Sequence, residues 1–255
     1  MKITVLGCGS SVGVPALRYG WGDCDPRNSK NRRTRSSIII ETEKTSLLVD
    51  MSPDLRQQLL DSGVSRVDAV ILTHEHYDHS AGLNELRPFF FDTDKILPIY
   101  CYRNSIEIVK KCFFYLFAEH FGNKPYMYIE PLDHSFTIGN ICGICIEQNH
   151  GHTKSMGLRI GNFAYTTDVV AFSKESFSKL YGLDVWIVGC PSPEKKHNHA
   201  HLEIILEWVE ELKPRMTYLT HMGFEMDYDN LLSILPHNVR PAYDQMQIEV
   251  APVHL

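Results

Sequence analysis

Val70-Ile71-Leu72-Thr73-His74-Glu75-His76-Tyr77-Asp78-His79 runs from a continuous apolar stretch into four potential metal ligands within six residues. The apolar run 68–73 reads as a strand. His74 and His76 are two apart, so an extended backbone sends both rings to one side. Asp78 and His79 follow where the chain turns towards a helix. Adjacent side chains diverge, so these two can serve a second metal beside the first. Imidazole with carboxylate suits zinc, and manganese or iron under other supply. The plain alternative is a solvent-exposed histidine-rich turn, but a strand rarely runs into H-x-H-x-D-H by chance.

Outward from this stretch, apolar strand-like runs recur at 2–6, 37–41, 46–50, 96–101, 127–130, 141–147, 157–161, 163–167, 184–189, 215–220 and 245–250. Helical patterns occupy 53–62, 80–87, 104–118, 173–180, 201–212 and 227–234. Early hairpins followed by alternating strands and helices predict a mixed α/β fold with layered sheets. Thr42-Glu43-Lys44-Thr45 reads as a hairpin turn. Ser52-Pro53 reads as a helix start, with a capping hydroxyl and then proline at the first position.

The 255 residues, 44% hydrophobic and 22% charged, are those of a globular chain rather than a disordered one. No repeat or linker divides them, so residues 1–255 are expected to form one domain. A net charge of −6 argues against a broad nucleic-acid-binding surface, though not against a local phosphate site. The N-terminal residues lack the pattern of a signal peptide, and no run approaches about 18 apolar residues, so no membrane span is expected. Seven scattered cysteines, an odd number, point to a reducing, cytoplasmic compartment.

His74-x-His76-x-Asp78-His79 after an apolar strand resembles the signature of the metallo-β-lactamase superfamily. That resemblance implies an αβ/βα four-layer sandwich and a hydrolase with two divalent metal ions, Zn2+ or Mn2+. It further implies three downstream ligands, each with a candidate in chain order. His150, in Asn149-His150-Gly151-His152, resembles the third histidine of the first metal, with His152 as its rival. Asp168, closing Tyr165-Thr166-Thr167-Asp168, resembles the bridging aspartate, and His221, in Leu219-Thr220-His221, resembles the last ligand. The implied metal set is therefore His74, His76, Asp78, His79, His150, Asp168 and His221. His74, His76 and His150 would serve one ion and Asp78, His79 and His221 the other. Asp50, after Leu47-Leu48-Val49, matches an aspartate that supports the site without binding metal. Two ions sharing a water lower its pKa from roughly 15.7 towards about 7. With only two carboxylates among seven ligands the site keeps positive charge, which favours an anionic substrate.

Four features address the substrate. Gly7-Cys8-Gly9-Ser10-Ser11-Val12-Gly13-Val14-Pro15 is similar to the start of the phosphodiesterase branch, which includes ribonuclease Z and PhnP-type cyclic phosphodiesterases. Its glycines either bring N–H groups to an anion or make a tight structural loop. Lys196-His197-Asn198-His199-Ala200-His201 resembles a PhnP-type Asn-His segment whose histidine protonates the leaving oxygen. On that match His199 is the catalytic acid, with His201 as runner-up, beside the catalytic Asp78. Asp168 follows His150 by only 18 positions, leaving no length for the extended arm of tRNA-binding relatives. Arg27, Lys30, Arg32, Arg33 and Arg35 form either a solvated loop or a phosphate clamp.

One departure is plain. PhnP-type proteins carry a Cys-x-Cys-x-x-Cys zinc cluster near positions 20–30, where this chain has Cys24 alone, so that structural zinc is expected to be absent. Cys142 and Cys145 do not replace it, because strand positions three apart face opposite sides. The expected function is phosphodiester hydrolysis on a small phosphodiester, cyclic ones included, or a nucleotide, in a cytoplasmic protein that the resemblance implies is a homodimer. Ribonuclease Z-like RNA processing and a non-catalytic PqqB-like accessory role are the alternatives. Large nucleic acids and membranes are not expected partners.

Overall fold

The apolar runs pair into two sheets. The computed structural model describes residues 1–91, 93–119, 124–195 and 197–251. One sheet holds β1 (Lys2–Gly7), β2 (Ser37–Glu41), β3 (Ser46–Val49), β4 (Ala69–Ile71), β5 (Leu97–Cys101), β6 (Met127–Pro131) and β14 (Met246–Glu249), ordered β14-β1-β2-β3-β4-β5-β6. The other holds β7 (Ser135–Ile138), β8 (Ile141–His150), β9 (Thr153–Ile160), β10 (Phe163–Thr166), β11 (Val185–Gly189), β12 (Met216–Thr220) and β13 (Val239–Pro241), in the reverse order β13 to β7. The main helices are α1 (Leu55–Ser62), α3 (Arg103–Cys112), α6 (Leu202–Leu212) and α7 (Tyr228–Ile234). Shorter turns of helix are α2 (Tyr77–Ser80), α4 (Phe114–Phe117) and α5 (Lys174–Ser178).

Alternation along the strands builds the layers. Ile38, Ile40, Leu47, Val49, Ala69 and Ile71 join the core that reaches the second sheet. Their neighbours Ile39, Leu48 and Val70 pack the other way, against Leu55, Leu59, Leu83, Leu86 and Val109 of the helical layer. Both faces of these strands are buried, so they read as unbroken apolar runs. Each fully buried Ile or Leu contributes roughly 1.5–3 kcal/mol. On the far side, Ile205, Val209, Leu212 and Leu231 of α6 and α7 close the second sheet. The architecture is the expected αβ/βα sandwich.

Several boundaries differ from the sequence reading. Ser52 does not cap α1: its hydroxyl accepts from the Asp54 N–H at 3.1 Å, forming a turn before the helix begins at Leu55. The pattern at 80–87 becomes α2 followed by a 3-10 stretch, Ala81–Phe90, that contains Pro88, which has no N–H for an α-helical bond. The pattern at 104–118 breaks at Phe113 into α3 and α4. Strands β7 and β13 were not anticipated. The latter is an edge strand ending in Pro241, a residue that edges tolerate. The hairpin at Thr42–Thr45 forms, with Thr42 N–H donating to Thr45 O at 2.9 Å. Among the described residues no helix is long and apolar enough to cross a membrane.

Strand directions place the chemistry. β3 and β4 run parallel, as do β10, β11 and β12, and β8 shares their direction because both β8 and β10 are antiparallel to β9. The carboxyl ends of β3, β4, β8, β10 and β12 lead directly into Asp50, the 74–79 segment, His150, Asp168 and His221. Ligand sites in α/β sheets form at such ends.

The glycine-rich turn after β1 is a structural loop. Gly9 N–H donates to Thr34 O at 2.7 Å, Ser10 N–H to Met222 O at 3.0 Å and Val14 N–H to Arg33 O at 2.9 Å. A Cβ on Gly7 would collide with the Arg35 carbonyl, so glycine is needed for close backbone approach. The loop is also tied to Asp244, whose Oδ2 accepts from Thr34 N at 2.7 Å and Thr34 Oγ1 at 2.6 Å, while Oδ1 accepts from Cys8 N at 3.1 Å. Burial pushes this carboxyl up to about 6, despite the donors from Thr34 and Cys8. A carboxylic acid that holds its proton more tightly when folded adds stability below its unfolded pKa of about 4, and that stability is lost as pH rises through the folded value. Carbon-detected NMR should show Asp244 titrating near pH 6. Asp244→Asn should flatten the fall in stability between about pH 4 and 6; a normal carboxyl titration would refute this.

Candidate metal centre

Three site residues sit at left-handed backbone positions immediately beyond strands: Asp50 at φ 64°, Asp168 at φ 53° and His221 at φ 56°. Such positions cost non-glycine residues of order 1–3 kcal/mol each and cluster at functional sites. The reversal turns each side chain from the strand end into the cleft between the sheets. Ser155 Oγ donates to the Asp168 carbonyl at 2.7 Å, and Gln148 Nε2 donates to the Thr167 carbonyl at 2.6 Å, which holds the bend at the end of β10.

All seven side chains of the predicted set converge there. His74, His76 and His150 bring their ligand atoms within 4.8 Å of one another, and so do Asp78, His79 and His221. Asp168 lies between the two groups: its Oδ2 is 3.1 Å from His79 Nε2, and its Oδ1 is 3.4 Å from His221 Nε2 and 3.8 Å from His150 Nε2. The rings of His74 and His76 lie 4.4 Å apart, on one side of the extended segment.

The tautomers follow from the outer partners. His79 Nδ1 lies 2.7 Å from Asp50 Oδ2, and a carboxylate can only accept. His150 Nδ1 donates to the Asn198 carbonyl at 2.9 Å. Ser36 Oγ gives its proton to Gly9 O, so it accepts from His221 Nδ1 at 3.1 Å. Thr73 Oγ1 donates to Asp50 Oδ2 at 2.9 Å and so accepts from His74 Nδ1 at 3.1 Å. Four imidazoles thus spend Nδ1–H on an outer partner and aim an Nε2 lone pair inward, as metal-ligating histidines do. The Nε2 atom of His74 is buried with no hydrogen-bond partner, which costs free energy that a cation would relieve, and that of His79 faces the Asp78 and Asp168 carboxylates at 3.2 and 3.1 Å. The donor set fits divalent ions of the zinc or manganese class.

The electrostatics agree. Burial opposes charge on His79, but Asp168, Asp50 and Asp78 overcome it and hold the imidazole well above its ordinary value. Burial raises Asp168, yet His221 and His79 outweigh it, so the carboxyl lies well below the usual range. Asp78 is held low for the same reason, chiefly by His79. Burial depresses His74 and His150. Metal binding exploits the same attraction with a cation in the proton's place.

The rival candidates separate. His150 enters the cluster as the last residue of β8, three residues later than the predicted strand end, whereas His152 is exposed. His199 Nδ1 lies 3.7 Å from Asp168 Oδ1, with its ring 5.0 Å from His150 and 5.1 Å from His221. Burial, then His221, pushes His199 down to about 4. His201 instead precedes α6, with Nε2 3.6 Å from Glu203. Lys196 lies outside the described residues. Sequence reasoning missed Ser36, Thr73 and the Asn198 carbonyl; Thr73 alone carried a signal, standing between the strand and His74.

Four of the five basic residues in the run, Arg27, Lys30, Arg33 and Arg35, face protein partners, while Arg32 is exposed beside the Trp21 ring. Arg27 pairs with Asp25 at 2.8 Å and Arg35 with Asp54 at 3.0 Å, while Lys30 Nζ sits 4.4 Å from the centroid of the Tyr228 ring. Arg33 is buried and donates to Gly223 O at 3.3 Å and Asn31 Oδ1 at 3.2 Å, with Nη1 3.9 Å from Cys24 Sγ. A hydrogen-bonded arginine therefore ties together the segment around Cys24. Among the described residues, the groups able to hold a metal all belong to the central cluster and none includes a cysteine. Cys142 is exposed and Cys145 buried, on opposite sides of β8.

Asp50→Asn should weaken metal binding about 10–100-fold, because the neutral amide removes the charge behind His79 while tolerating the left-handed backbone. Competition against a chelating dye would measure this, with circular dichroism checking the fold. Unchanged affinity would separate Asp50 from the centre.

A PhnP-family diphosphatase superposes with a TM-score of 0.91 at 28% identity, covering 98% of both chains. Zinc-bound PqqB from Methylobacterium extorquens superposes at 0.76 with 16% identity, over 98% of this chain and 100% of that one, a likeness of fold alone. The Octanoyltransferase of Porphyromonas gingivalis is 28% identical over 254 residues, 97% of this chain but 51% of that protein, so the chain spans about half the length of this curated relative. The family model described as Beta-lactamase superfamily domain matches residues 45–222, a span that holds Asp50 and all seven clustered side chains. The chain belongs to this β-lactamase superfamily, as a hydrolase-type domain with the metallo-β-lactamase fold and the divalent-metal binding that the fold implies.

Proposed function

We propose that this chain is a dinuclear metal-dependent phosphodiesterase that cleaves a small phosphodiester or diphosphate diester. The observation that carries the reading is the pair of triads, His74/His76/His150 and Asp78/His79/His221, meeting at Asp168. The full-length likeness to a PhnP-family diphosphatase supports phosphorus as the reacting centre. The octanoyltransferase name transfers less well, because half of that relative has no counterpart here.

When bound, two divalent ions supply a nucleophile at neutral pH from water and offset charge at phosphorus. The chain's own residues do the rest. Asp50, Thr73, Ser36 and the Asn198 carbonyl lock the imidazoles in one tautomer and orientation. Asp168 holds the two triads at a fixed spacing. His199 would take a proton from solvent as an anionic diester settles beside it, and pass that proton to the leaving oxygen as the P–O bond breaks. Positions 151–167 are occupied largely by β9 and β10, so no long arm for a folded RNA extends between His150 and Asp168, which supports a small substrate. The seven free cysteines accord with a cytoplasmic setting. Residues 1–255 act in this reading as one catalytic unit, and dimerisation stays within the proposal.

The test is a substrate panel on metal-loaded protein: bis(nitrophenyl) phosphate, cyclic nucleotides, dinucleoside diphosphates and precursor tRNA. The expected result is turnover of small diesters, lost with chelator and restored by Zn2+ or Mn2+. Cleavage of precursor tRNA alone would move the function to RNA processing. No hydrolysis with full metal loading would favour an accessory role.

A further inference from the structure

The segment after the glycine-rich loop carries aromatic surface that the proposed chemistry does not use. Leu17 is 93% and Tyr19 56% exposed, at the tip of a hairpin closed by two 2.7 Å hydrogen bonds between Ala16 and Gly20. Tyr19 stacks on Phe224 with centroids 4.8 Å apart and planes 14° from parallel. The Arg18 guanidinium lies 5.7 Å from the Tyr19 centroid, and that of Arg32 lies 5.0 Å from the Trp21 ring. Phe224 follows His221 by three residues, so their Cα atoms are at most about 11 Å apart. The connecting turn is fixed: Ser10 N–H donates to Met222 O at 3.0 Å and Asp23 N–H to Phe224 O at 2.9 Å. Gly22 makes room for the Phe224 ring, since a Cβ there would come within 2.6 Å of it.

We infer that Tyr19 and Phe224, flanked by Arg18 and Arg32, form a stacking platform for the nucleobase of a nucleotide substrate whose phosphorus lies at Asp168. This rests on the phosphodiesterase reading and narrows its substrate class. An exposed Tyr19 stacked on a half-buried Phe224, three residues beyond His221 of the cluster, suits a ligand that is planar at one end and anionic at the other. Base faces stack on tyrosine and phenylalanine with little sequence preference, and guanidinium groups add cation–π attraction and a field for phosphate.

The test compares AMP, ribose 5-phosphate and adenosine binding to zinc-loaded full-length protein by calorimetry. AMP should bind at least about tenfold more tightly than ribose 5-phosphate. Tyr19→Ala should erase that advantage and leave ribose 5-phosphate binding unchanged, while Tyr19→Trp keeps it. Leu17→Ala, on the same hairpin without a ring, should change nothing. Equal binding of AMP and ribose 5-phosphate to the wild type, or an AMP advantage that survives Tyr19→Ala, would overturn the platform while leaving the phosphate reading intact. Adenosine binding as tightly as AMP, in a Tyr19-dependent way and with no ribose 5-phosphate binding, would keep the platform and sink the phosphate reading. No binding of any of the three would overturn both.

Discussion

Asp168→Asn is expected to lower turnover of any diester substrate by at least about 10⁴-fold and to reduce the metal content of the purified protein. Asparagine is the informative choice because Asp168 sits at φ 53°, a conformation that asparagine tolerates and alanine resists. The fold should therefore survive, and the loss can be read as chemistry. The carboxylate reaches both triads, with Oδ2 at His79 and Oδ1 at His221 and His150. An amide offers one neutral oxygen, and its NH2 group would face imidazole nitrogens and repel a cation. Plasma emission spectrometry and a thermal melt check the two halves of this prediction. Full metal content with full activity would remove Asp168 from the centre.

His199→Ala should produce an uneven loss. When a P–O bond breaks, the leaving oxygen gains negative charge. A ribose alkoxide needs a proton at that moment, and a positioned acid contributes about 10²–10⁴-fold. Nitrophenolate is already stable as an anion and needs the proton far less. Turnover of a ribosyl or alkyl diester should thus fall by about 10²–10⁴-fold, and that of a nitrophenyl diester far less. Metal content should not change. The geometry sharpens the experiment, because His199 also forms a ligand-capable group with His150 and Asp168. Loss of metal in the variant would make His199 a ligand, and equal slowing of both substrates would make it a phosphate-positioning group.

The sequence by itself determined the layers and the nucleus of the site. Unbroken apolar runs mark strands buried on both faces, and Ile38, Ile39 and Ile40 show how one such run serves two cores. The spacing His74-x-His76-x-Asp78-His79 fixes local geometry, since side-chain direction over a few residues depends mainly on the backbone period. The order of Asp50, His150, Asp168 and His221 at strand ends was also legible. Only the tertiary structure decided which neighbour of each pair faces inward. His150 rather than His152 joins the cluster because β8 continues to residue 150 before the chain reverses at Gly151, and strand ends depend on pairing with β9. His199 rather than His201 approaches Asp168 because the chain enters α6 after His201. The outer partners were equally invisible: Ser36 meets His221 across 185 positions and Asn198 meets His150 across 48. The glycine loop and the basic run each allowed an anion-binding reading; the structure engages the Gly9, Ser10 and Val14 N–H groups and the guanidinium groups of Arg27, Arg33 and Arg35 with the protein itself, and leaves Arg32 exposed. Short-range spacing encodes direction. Which distant groups a donor meets depends on sheet register and loop path, which no local pattern records.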